Sequence, residues 1–250
     1  MRGRDGRLID DRPPRDVPSG SGPAGSGPWV RVFTAWNLAV FATWVVLPFV
    51  LAGSIAWGPG WLHLVSVGVG AVSEDRYAAR RNPALKARRR RIGAGTKAWD
   101  LAWNVAFWPF MASIAVAGGL QHGAEGHSMP AGSWALGLPL LAAGFALSAW
   151  AMATNPWFEG TARIQAEIGH RVFEGGPYRH VRHPGYLGLV LWALGTPFLL
   201  RSTWSIAPAV AAAAWVALRT GLEDAMLRRE LPGYAAYASR TRFRLVPGLW

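Results

Sequence analysis

No cysteine occurs among the 250 residues of the chain. Disulfide bonds, thiolate zinc sites, iron–sulfur clusters and a cysteine nucleophile are therefore all excluded. Charged residues are scarce too, because they make up 16% of the chain, whereas a soluble domain carries roughly 25%. With 51% hydrophobic residues and 15 tryptophans, the composition is typical of a membrane protein.

Acidic residues are the scarcer charged type, and 26 basic residues against 14 acidic ones give a net charge of +12. Nine basic residues and no acidic one lie between Arg76 and Lys97, whereas residues 121–131 contain no Lys or Arg. This alternation follows the positive-inside rule, so membrane topology explains the charge better than nucleic-acid binding does. We expect both termini and the basic loop 74–100 to be cytoplasmic, and no nucleic-acid partner.

Long apolar runs predict an all-α fold, a polytopic transmembrane helical bundle with about five to six membrane segments. The predicted segments are Val32–Ile55, Trp61–Val72, Leu101–Leu120, Ser133–Thr154, and a short C-terminal helical hairpin of Leu187–Leu200 and Thr203–Leu218. Residues 1–28 are rich in Arg, Gly, Pro and Ser and predict a disordered cytoplasmic tail. Residues 29–154 then hold the N-terminal transmembrane helices, and residues 155–250 form a separate region. Whether residues 61–72 span the bilayer fully stays open.

Two short motifs do not predict ligand sites. His122, Glu125 and His127 lie on the side of the membrane that lacks basic residues, but their spacing differs from a helical ligand pair such as His-Glu-x-x-His. We therefore expect no metal site. Gly68 and Gly70 lack the third glycine and the preceding strand of a dinucleotide-binding loop.

The stretch Gly176–Gly188 combines three glycines, two prolines, two arginines and two histidines directly before an apolar run. Proline is tolerated at the first helical position, so Pro184 is predicted to open a helix and to leave His183 extended just outside it. The positive end of that helix, with Arg179 and Arg182 nearby, favours an anion or a cofactor. A plain basic connector between membrane helices has the same composition and is the alternative.

A second polar group lies near the end of the last apolar segment. Arg219 and Glu223 are four residues apart and share a helix face, and Asp224 adjoins them. Ionisable residues at membrane depth are unfavourable and mark candidate functional sites. The alternative is an ordinary ion pair at the membrane surface.

Together these motifs resemble the isoprenylcysteine carboxyl methyltransferase family, which is related to the phospholipid methyltransferases. The resemblance is carried by Gly176-Pro177-Tyr178, Arg182-His183-Pro184-x-Tyr186-x-Gly188, Arg219-x-x-x-Glu223-Asp224-x-x-Leu227, Gly233-Tyr234-x-x-Tyr237 and Pro247. Asn155, Phe158 and Arg163-Ile164-Gln165 fit bacterial members. One difference is Asp224, because the family usually has a second glutamate there.

The resemblance implies an integral-membrane enzyme that uses S-adenosylmethionine, with residues 155–250 as the methyltransferase catalytic region. The cofactor is then held between the Arg-His-Pro loop and the C-terminal tail. The implied catalytic residues are Arg219, His183 and Glu223. The implied cofactor-binding residues are Tyr178, Arg182, His183, Tyr186, Gly188, Glu223, Asp224 and Tyr237. The implied location is the bacterial inner membrane, and the implied partner is a lipid-like or small-molecule methyl acceptor.

The chemistry of methyl transfer fits these residue types. A sulfonium and a carboxylate combine into neutral products, so orientation and exclusion of water lower the barrier and no nucleophilic side chain is needed. Arg219 can hold a substrate carboxylate, and His183 can bind the cofactor or act as the base for a neutral nucleophile. The expected reaction is O-methylation of the carboxylate of a lipid-like or prenylated molecule. The alternatives are N-methylation of a phospholipid head group, methylation of a small thiol or amine, and a non-catalytic membrane protein.

Overall fold

The structure is a computed structural model that describes residues 28–85 and 95–250, with side chains described from residue 38 onwards. Two features predicted from the sequence therefore lie outside the described residues, namely the tail before Pro28 and the Arg88–Arg91 run of the basic loop. Within the described ranges every regular element is helical and no strand occurs. The all-α fold class is thus confirmed.

Six long helices of the described residues run up and down the bundle. Their bounds are α1 Pro28–Leu51, α2 Gly58–Arg81, α3 Ala98–Glu125, α4 Trp134–Thr154, α5 Pro184–Leu200 and α6 Ile206–Glu230. A short helix, α7, follows at Tyr234–Arg240, and 3-10 turns lie at Ala131–Ser133, Ala166–Ile168 and Gly176–Arg179. Each predicted apolar segment falls on one of the six helices. However, α2, α3 and α6 continue past the predicted ends, because polar residues that end an apolar run remain helical.

Two helices of the described chain are long and apolar enough to cross a membrane, judged by length and composition: Ala98–Glu125 and Ala131–Thr154. Two further apolar helical stretches, Leu38–Leu51 and Pro184–Leu200, are shorter. Large apolar side chains are exposed on the outer faces of the bundle, as on α2, where Val69 is 62% exposed. These features agree with a helical membrane protein, while the count of five to six membrane segments stays a prediction.

The most extensive helix pair is α4 with α5, and glycines make its close approach possible. A Cβ on Gly188 would lie 2.5 Å from Gly144 O, and one on Gly144 would lie 2.6 Å from Gly188 O. Small residues at such a crossing let two backbones approach. The core beside this pair contains Trp103, Trp192 and Val216. Gly188, predicted to bind the cofactor, therefore serves helix packing in this structure.

The predicted C-terminal hairpin is confirmed. Arg201 adopts a left-handed conformation (φ 55°) directly after α5 and so turns the chain towards α6. Its Nε donates to the carbonyl of Met129 at 3.1 Å, which ties the hairpin to the segment before α4. Arg201 is thus part of the turn itself.

The two ends of the bundle differ in their connections. Short turns join the helices at one end, at residues 52–57, 126–133 and 201–205. Long segments lie at the other end, at residues 155–183 and 231–250. We call these the turn end and the cavity end. The site residues predicted from the sequence belong to the cavity end.

Candidate active site

Pro184 opens α5 as predicted, and His183 lies just outside the helix. The backbone of His183, at φ −129° and ψ 63°, is neither helical nor extended, so the predicted extended conformation is wrong. The backbone N–H groups of Arg182 and His183 donate to the carbonyls of Phe243 and Arg244, at 2.9 and 3.0 Å. These two bonds join the Arg-His-Pro loop to the C-terminal tail. The resemblance implied that the loop and the tail lie together, and the structure has them in direct contact.

A cavity opens between this loop, the segment that follows α4, the end of α6 and α7. It holds about 780 Å³ of space, including the part open to solvent. The predicted site residues that line it are Tyr178, Arg182, His183, Tyr186, Glu223 and Tyr237. Three others, Gly188, Arg219 and Asp224, are not among the lining residues. Aromatic side chains with a few polar groups among them are typical of the lining of a small-molecule or cofactor site.

Glu223 lies on the cavity wall with Tyr186 beside it. The Tyr186 hydroxyl donates a hydrogen bond to Glu223 Oε2. The ring of Tyr186 stacks against that of His183, with centroids 5.7 Å apart and an interplanar angle of 11°. The Glu223 carboxylate is therefore oriented by Tyr186 and directed at the cavity, where it can accept hydrogen bonds from a ligand.

Asp224 lies behind the cavity wall and is 1% exposed. Its carboxylate accepts from Arg182 Nε at 2.7 Å, Arg228 Nε at 3.0 Å, Arg244 Nε at 3.1 Å and the Tyr234 hydroxyl at 2.9 Å. One side chain thus joins the Arg-His-Pro loop, α6, α7 and the tail. The role predicted for Asp224 was cofactor binding, whereas its contacts are those of a structural anchor.

Arg182 has its guanidinium committed to protein partners. Besides the bond from Nε, its Nη2 donates to Asp224 at 3.2 Å, and its Nη1 donates to the carbonyls of Thr241 and Arg242 at 2.8 Å each. A guanidinium with these four bonds has little capacity left for a ligand. Arg182 therefore shapes the cavity wall and supplies positive charge to it.

His183 faces the same cluster. Its Nε2 lies 3.3 Å from the Tyr234 hydroxyl and 3.5 Å from Asp224 Oδ1. Burial, with Asp224 adjacent, raises the pKa of Tyr234, so its hydroxyl stays protonated and donates to Asp224. This imidazole nitrogen is thus held by protein groups.

Arg219 is 4% exposed and does not pair with Glu223 in the manner of a surface ion pair. Its Nε lies 2.7 Å from Asp100 Oδ1, and its Nη2 donates to the carbonyl of Gly160 at 3.0 Å. The guanidinium lies over the rings of Trp103 and Tyr186, 4.3 and 5.0 Å from their centroids. Arg219 is therefore one layer behind the cavity wall, in contact with Tyr186.

Gln165 is a lining residue that the sequence motifs did not single out as a site residue. It is 1% exposed, and its Nε2 donates to the carbonyl of Trp157 at 2.6 Å. Its Oε1 is buried and has no hydrogen-bond partner within the described residues. Such an unpaired acceptor is unfavourable unless a ligand donates to it. Its only sequence signal was the Arg163-Ile164-Gln165 resemblance.

Two aromatic rings flank Gln165 on the cavity wall. The ring of Trp157 stacks with that of His170, with centroids 6.1 Å apart and an interplanar angle of 20°. Burial lowers the pKa of His170 to about 4, so this imidazole is neutral at physiological pH. The backbone N–H of Gln165 donates to His170 Nδ1 at 3.4 Å. A flat apolar wall beside an unpaired oxygen suits a planar heterocycle that carries an amino group.

At the turn end, His122 and His127 stack with centroids 4.7 Å apart. Across the described ranges 28–85 and 95–250, no group of three or more His, Cys, Asp or Glu is placed to hold a metal ion.

Part of the chain is similar to known proteins. Residues 135–229 match the isoprenylcysteine carboxyl methyltransferase (ICMT) family. The resemblance predicted from the sequence is thus confirmed over that segment. All residues that line the cavity, except Leu231, Tyr234 and Tyr237, lie within the ICMT match.

Two curated relatives carry the description "Probable protein-S-isoprenylcysteine O-methyltransferase", one from Oryza sativa subsp. indica and one from Oryza sativa subsp. japonica. Each is 44% identical to this chain over 43 residues. The aligned stretch is 17% of this chain and 22% of the length of each relative.

Proposed function

We propose that the chain is an integral-membrane methyltransferase that uses S-adenosylmethionine to O-methylate the carboxylate of a prenylated or lipid-like molecule. One observation carries the proposal: the ICMT-matching segment supplies nearly the whole wall of the cavity at the cavity end. The name of the two rice relatives supports the choice of a prenylated cysteine as acceptor.

The cavity wall fits this cofactor. The unpaired oxygen of Gln165 can accept from the adenine amino group, beside the stacked rings of Trp157 and His170. The Glu223 carboxylate can accept from the cofactor amine or ribose. Arg171 lines the cavity, is exposed and forms no ion pair within the described residues, so it can bind the cofactor carboxylate. When bound, S-adenosylmethionine supplies a methyl group activated by its sulfonium.

The protein's part in the reaction is orientation and exclusion of water. The rings of Tyr178 and Tyr237 also line the cavity, where an aromatic face can stabilise a cation. The Arg219 guanidinium lies directly behind the Tyr186 ring, and we assign it the task of attracting the acceptor carboxylate with its positive charge while it holds that ring in the wall. A carboxylate is ionised at neutral pH and needs no base, whereas a neutral amine or thiol needs one. Because His183 Nε2 is held by Tyr234 and Asp224, a carboxylate acceptor is favoured.

The direct test is methyl transfer by the full chain purified in detergent. Labelled S-adenosylmethionine is incubated with N-acetyl-S-farnesylcysteine or, separately, with phosphatidylethanolamine vesicles, and base-labile methyl esters are separated from stable methylamines. We expect base-labile label from the farnesyl acceptor. Label only in the phospholipid would replace the acceptor class, and no label in either, with folded protein, would contradict the proposal.

The residue assignment is tested by a matched pair of glutamates on α6. Glu223→Gln removes the charge from the cavity wall and should lower kcat/KM by about 100-fold, because a charged hydrogen-bond acceptor at the cofactor is lost. Glu230→Gln removes only a half-exposed ion pair with Lys97 (2.8 Å) and should change kcat/KM by less than about twofold. Equal kcat/KM values for the two variants would show that Glu223 has no special role.

Arg219→Lys tests the role of Arg219 in binding the acceptor. Lysine keeps the charge, but it cannot lie flat between Trp103 and Tyr186 or present two parallel donors. We expect a KM for the farnesyl acceptor raised by about tenfold, with a smaller change in kcat. An unchanged KM would assign Arg219 a purely structural role.

A further inference from the structure

Resting on the proposed function, we infer that Asp100 is a positioning residue, whose single carboxylate orients Arg219 and fixes the adjoining cofactor wall, so that the acceptor and cofactor halves of the site are built together. Asp100 lies in the first turn of α3, outside the segment that matches the ICMT family.

Asp100 is fully buried, at 0% exposure. A carboxylate in such a place is stable only if it is paired and hydrogen-bonded. Its Oδ1 lies 2.7 Å from Arg219 Nε. Its Oδ2 accepts from the backbone N–H of Ala162 at 2.7 Å and from Asn104 Nδ2 at 3.3 Å. The two oxygens thus serve two different parts of the site.

A closed ring of contacts results. Arg219 Nη2 donates to the carbonyl of Gly160, two residues before the amide that Asp100 holds. The neighbours of that amide, Thr161 and Arg163, line the cavity. Any displacement of the Asp100 carboxylate therefore moves both the guanidinium and the cavity wall.

Arg219 is also connected to Glu223 on the cavity wall, through Tyr186. Its guanidinium lies between the rings of Trp103 and Tyr186, and the Tyr186 hydroxyl donates to Glu223. Asp100 itself lines no part of the cavity and acts only through these groups. This makes it a positioning residue.

A second ion pair provides the control. Lys97 and Glu230 join the residue before α3 to the end of α6, as Asp100 and Arg219 join the same two helices. The side chains of Lys97 and Glu230 are 33% and 37% exposed. Lys97 reaches the site segment through its backbone, whose N–H donates to the carbonyl of Ala162 at 3.2 Å, and Glu230→Gln keeps that bond. If Asp100 only fastened α3 to α6, loss of either ion pair would change Kd and KM by similar factors.

The experiment uses the full chain in detergent and three variants: Asp100→Asn, Asp100→Glu and Glu230→Gln. A carboxamide offers one acceptor and one donor, so asparagine leaves either Arg219 or the Ala162 amide without its partner. For each variant we measure the Kd of S-adenosylmethionine by calorimetry, KM and kcat with N-acetyl-S-farnesylcysteine, and the thermal midpoint. Binding and kinetics are measured well below that midpoint.

We expect Asp100→Asn to raise the Kd and the acceptor KM together, each by about tenfold, as a small misplacement of binding groups does. Asp100→Glu keeps the charge but moves it by one methylene. Its Kd and KM should therefore lie between those of Asp100→Asn and those of the wild type. The Kd and KM of Glu230→Gln should differ from those of the wild type by less than about twofold.

Unchanged Kd and KM with only a lowered thermal midpoint would overturn the inference, since Asp100 would then be structural. If Asp100→Asn does not fold, Asp100→Glu decides, and wild-type Kd and KM in that variant would contradict positioning. If the folded wild type neither binds S-adenosylmethionine nor methylates, the proposed function fails and the inference with it. If the wild type is active and the Asp100 variants have its Kd and KM, only the inference about Asp100 is overturned and the proposed function stands.

Discussion

Two buried glutamines at opposite ends of the bundle show how the fold and the site differ. Gln121, 2% exposed, has every polar atom satisfied: its Oε1 accepts from Ser202 at 2.8 Å, Ser128 at 3.0 Å and the Trp204 amide at 3.1 Å. Gln165, 1% exposed, has an Oε1 without a partner among the described residues. The hydrogen bonds of Gln121 stabilise the fold, whereas the unpaired oxygen of Gln165 lies in a cavity wall, where a ligand can donate to it.

The same contrast extends to charge. At the turn end the buried network around Gln121 consists largely of neutral hydroxyl, amide and carbonyl groups, with the Glu125 carboxylate at its edge. At the cavity end Asp224 and Asp100 are buried with arginines. Buried charges are costly to desolvate, so their presence at one end indicates that this end is built to place charged groups near a ligand.

The largest expected difference concerns these two kinds of network. Asp224→Asn leaves Arg182, Arg228 and Arg244 without their common anion and should lower the free energy of unfolding by about 3 to 5 kcal/mol. Ser202→Ala at the turn end removes a neutral donor and should cost about 1 kcal/mol. Denaturant unfolding of both variants in the same detergent measures the two values. Similar losses would mean that Asp224 is no more important to the fold than a neutral hydrogen bond.

An intermediate effect is expected from the two glutamines. Gln121→Leu strands several donors and should lower the free energy of unfolding by about 2 kcal/mol while leaving cofactor Kd unchanged. Gln165→Leu should lower it by less, since its oxygen is already unpaired, but should raise the Kd of S-adenosylmethionine by about tenfold. Unfolding curves and calorimetry on both variants separate the two effects. The reverse pattern would make Gln165 a structural residue.

The smallest expected effect is a difference in pH dependence. The pKa of His170 is lowered to about 4 in the fold by burial, while it is about 6.5 in the unfolded chain. Because the folded state binds fewer protons between these values, the free energy of unfolding falls as pH drops from about 6.5 towards 4. Between pH 7 and 5 the wild type should lose about 2 kcal/mol more stability than His170→Gln. His127→Gln at the turn end should change this pH dependence less, since His127 is exposed.

Equal pH dependence of the wild type and His170→Gln would show that His170 is not neutral in the fold. Activity measured from pH 6.5 to 8 should show no His170-dependent step, because this imidazole does not titrate in that range.

Sequence patterns that act locally were read correctly. Apolar runs located the six long helices of the described chain, because a run of apolar residues is favourable inside a helix that packs in the bundle. Pro184 located the start of α5, because proline has a fixed preference for the first helical turn. The motif residues Tyr186 and Glu223 met on the cavity wall as the resemblance implied.

Patterns that depend on distant partners were not predictable in the same way. Arg219 and Asp100 are far apart in the chain, and no sequence pattern near Arg219 indicates that Asp100 is its buried partner. Gly188 could not be distinguished from a ligand-binding glycine, because only the position of Gly144 makes it a packing residue. Gln165 required the structure too, since an unpaired oxygen is a property of its surroundings.

The most direct measurement is calorimetric titration of S-adenosylmethionine into the purified full chain and into Gln165→Leu, with Gln121→Leu as the matched control. We expect micromolar binding by the wild type, the same binding by Gln121→Leu, and at least about tenfold weaker binding by Gln165→Leu. Absence of binding by folded wild type, or equal binding by all three proteins, would contradict the assignment of this cavity to the methyl donor.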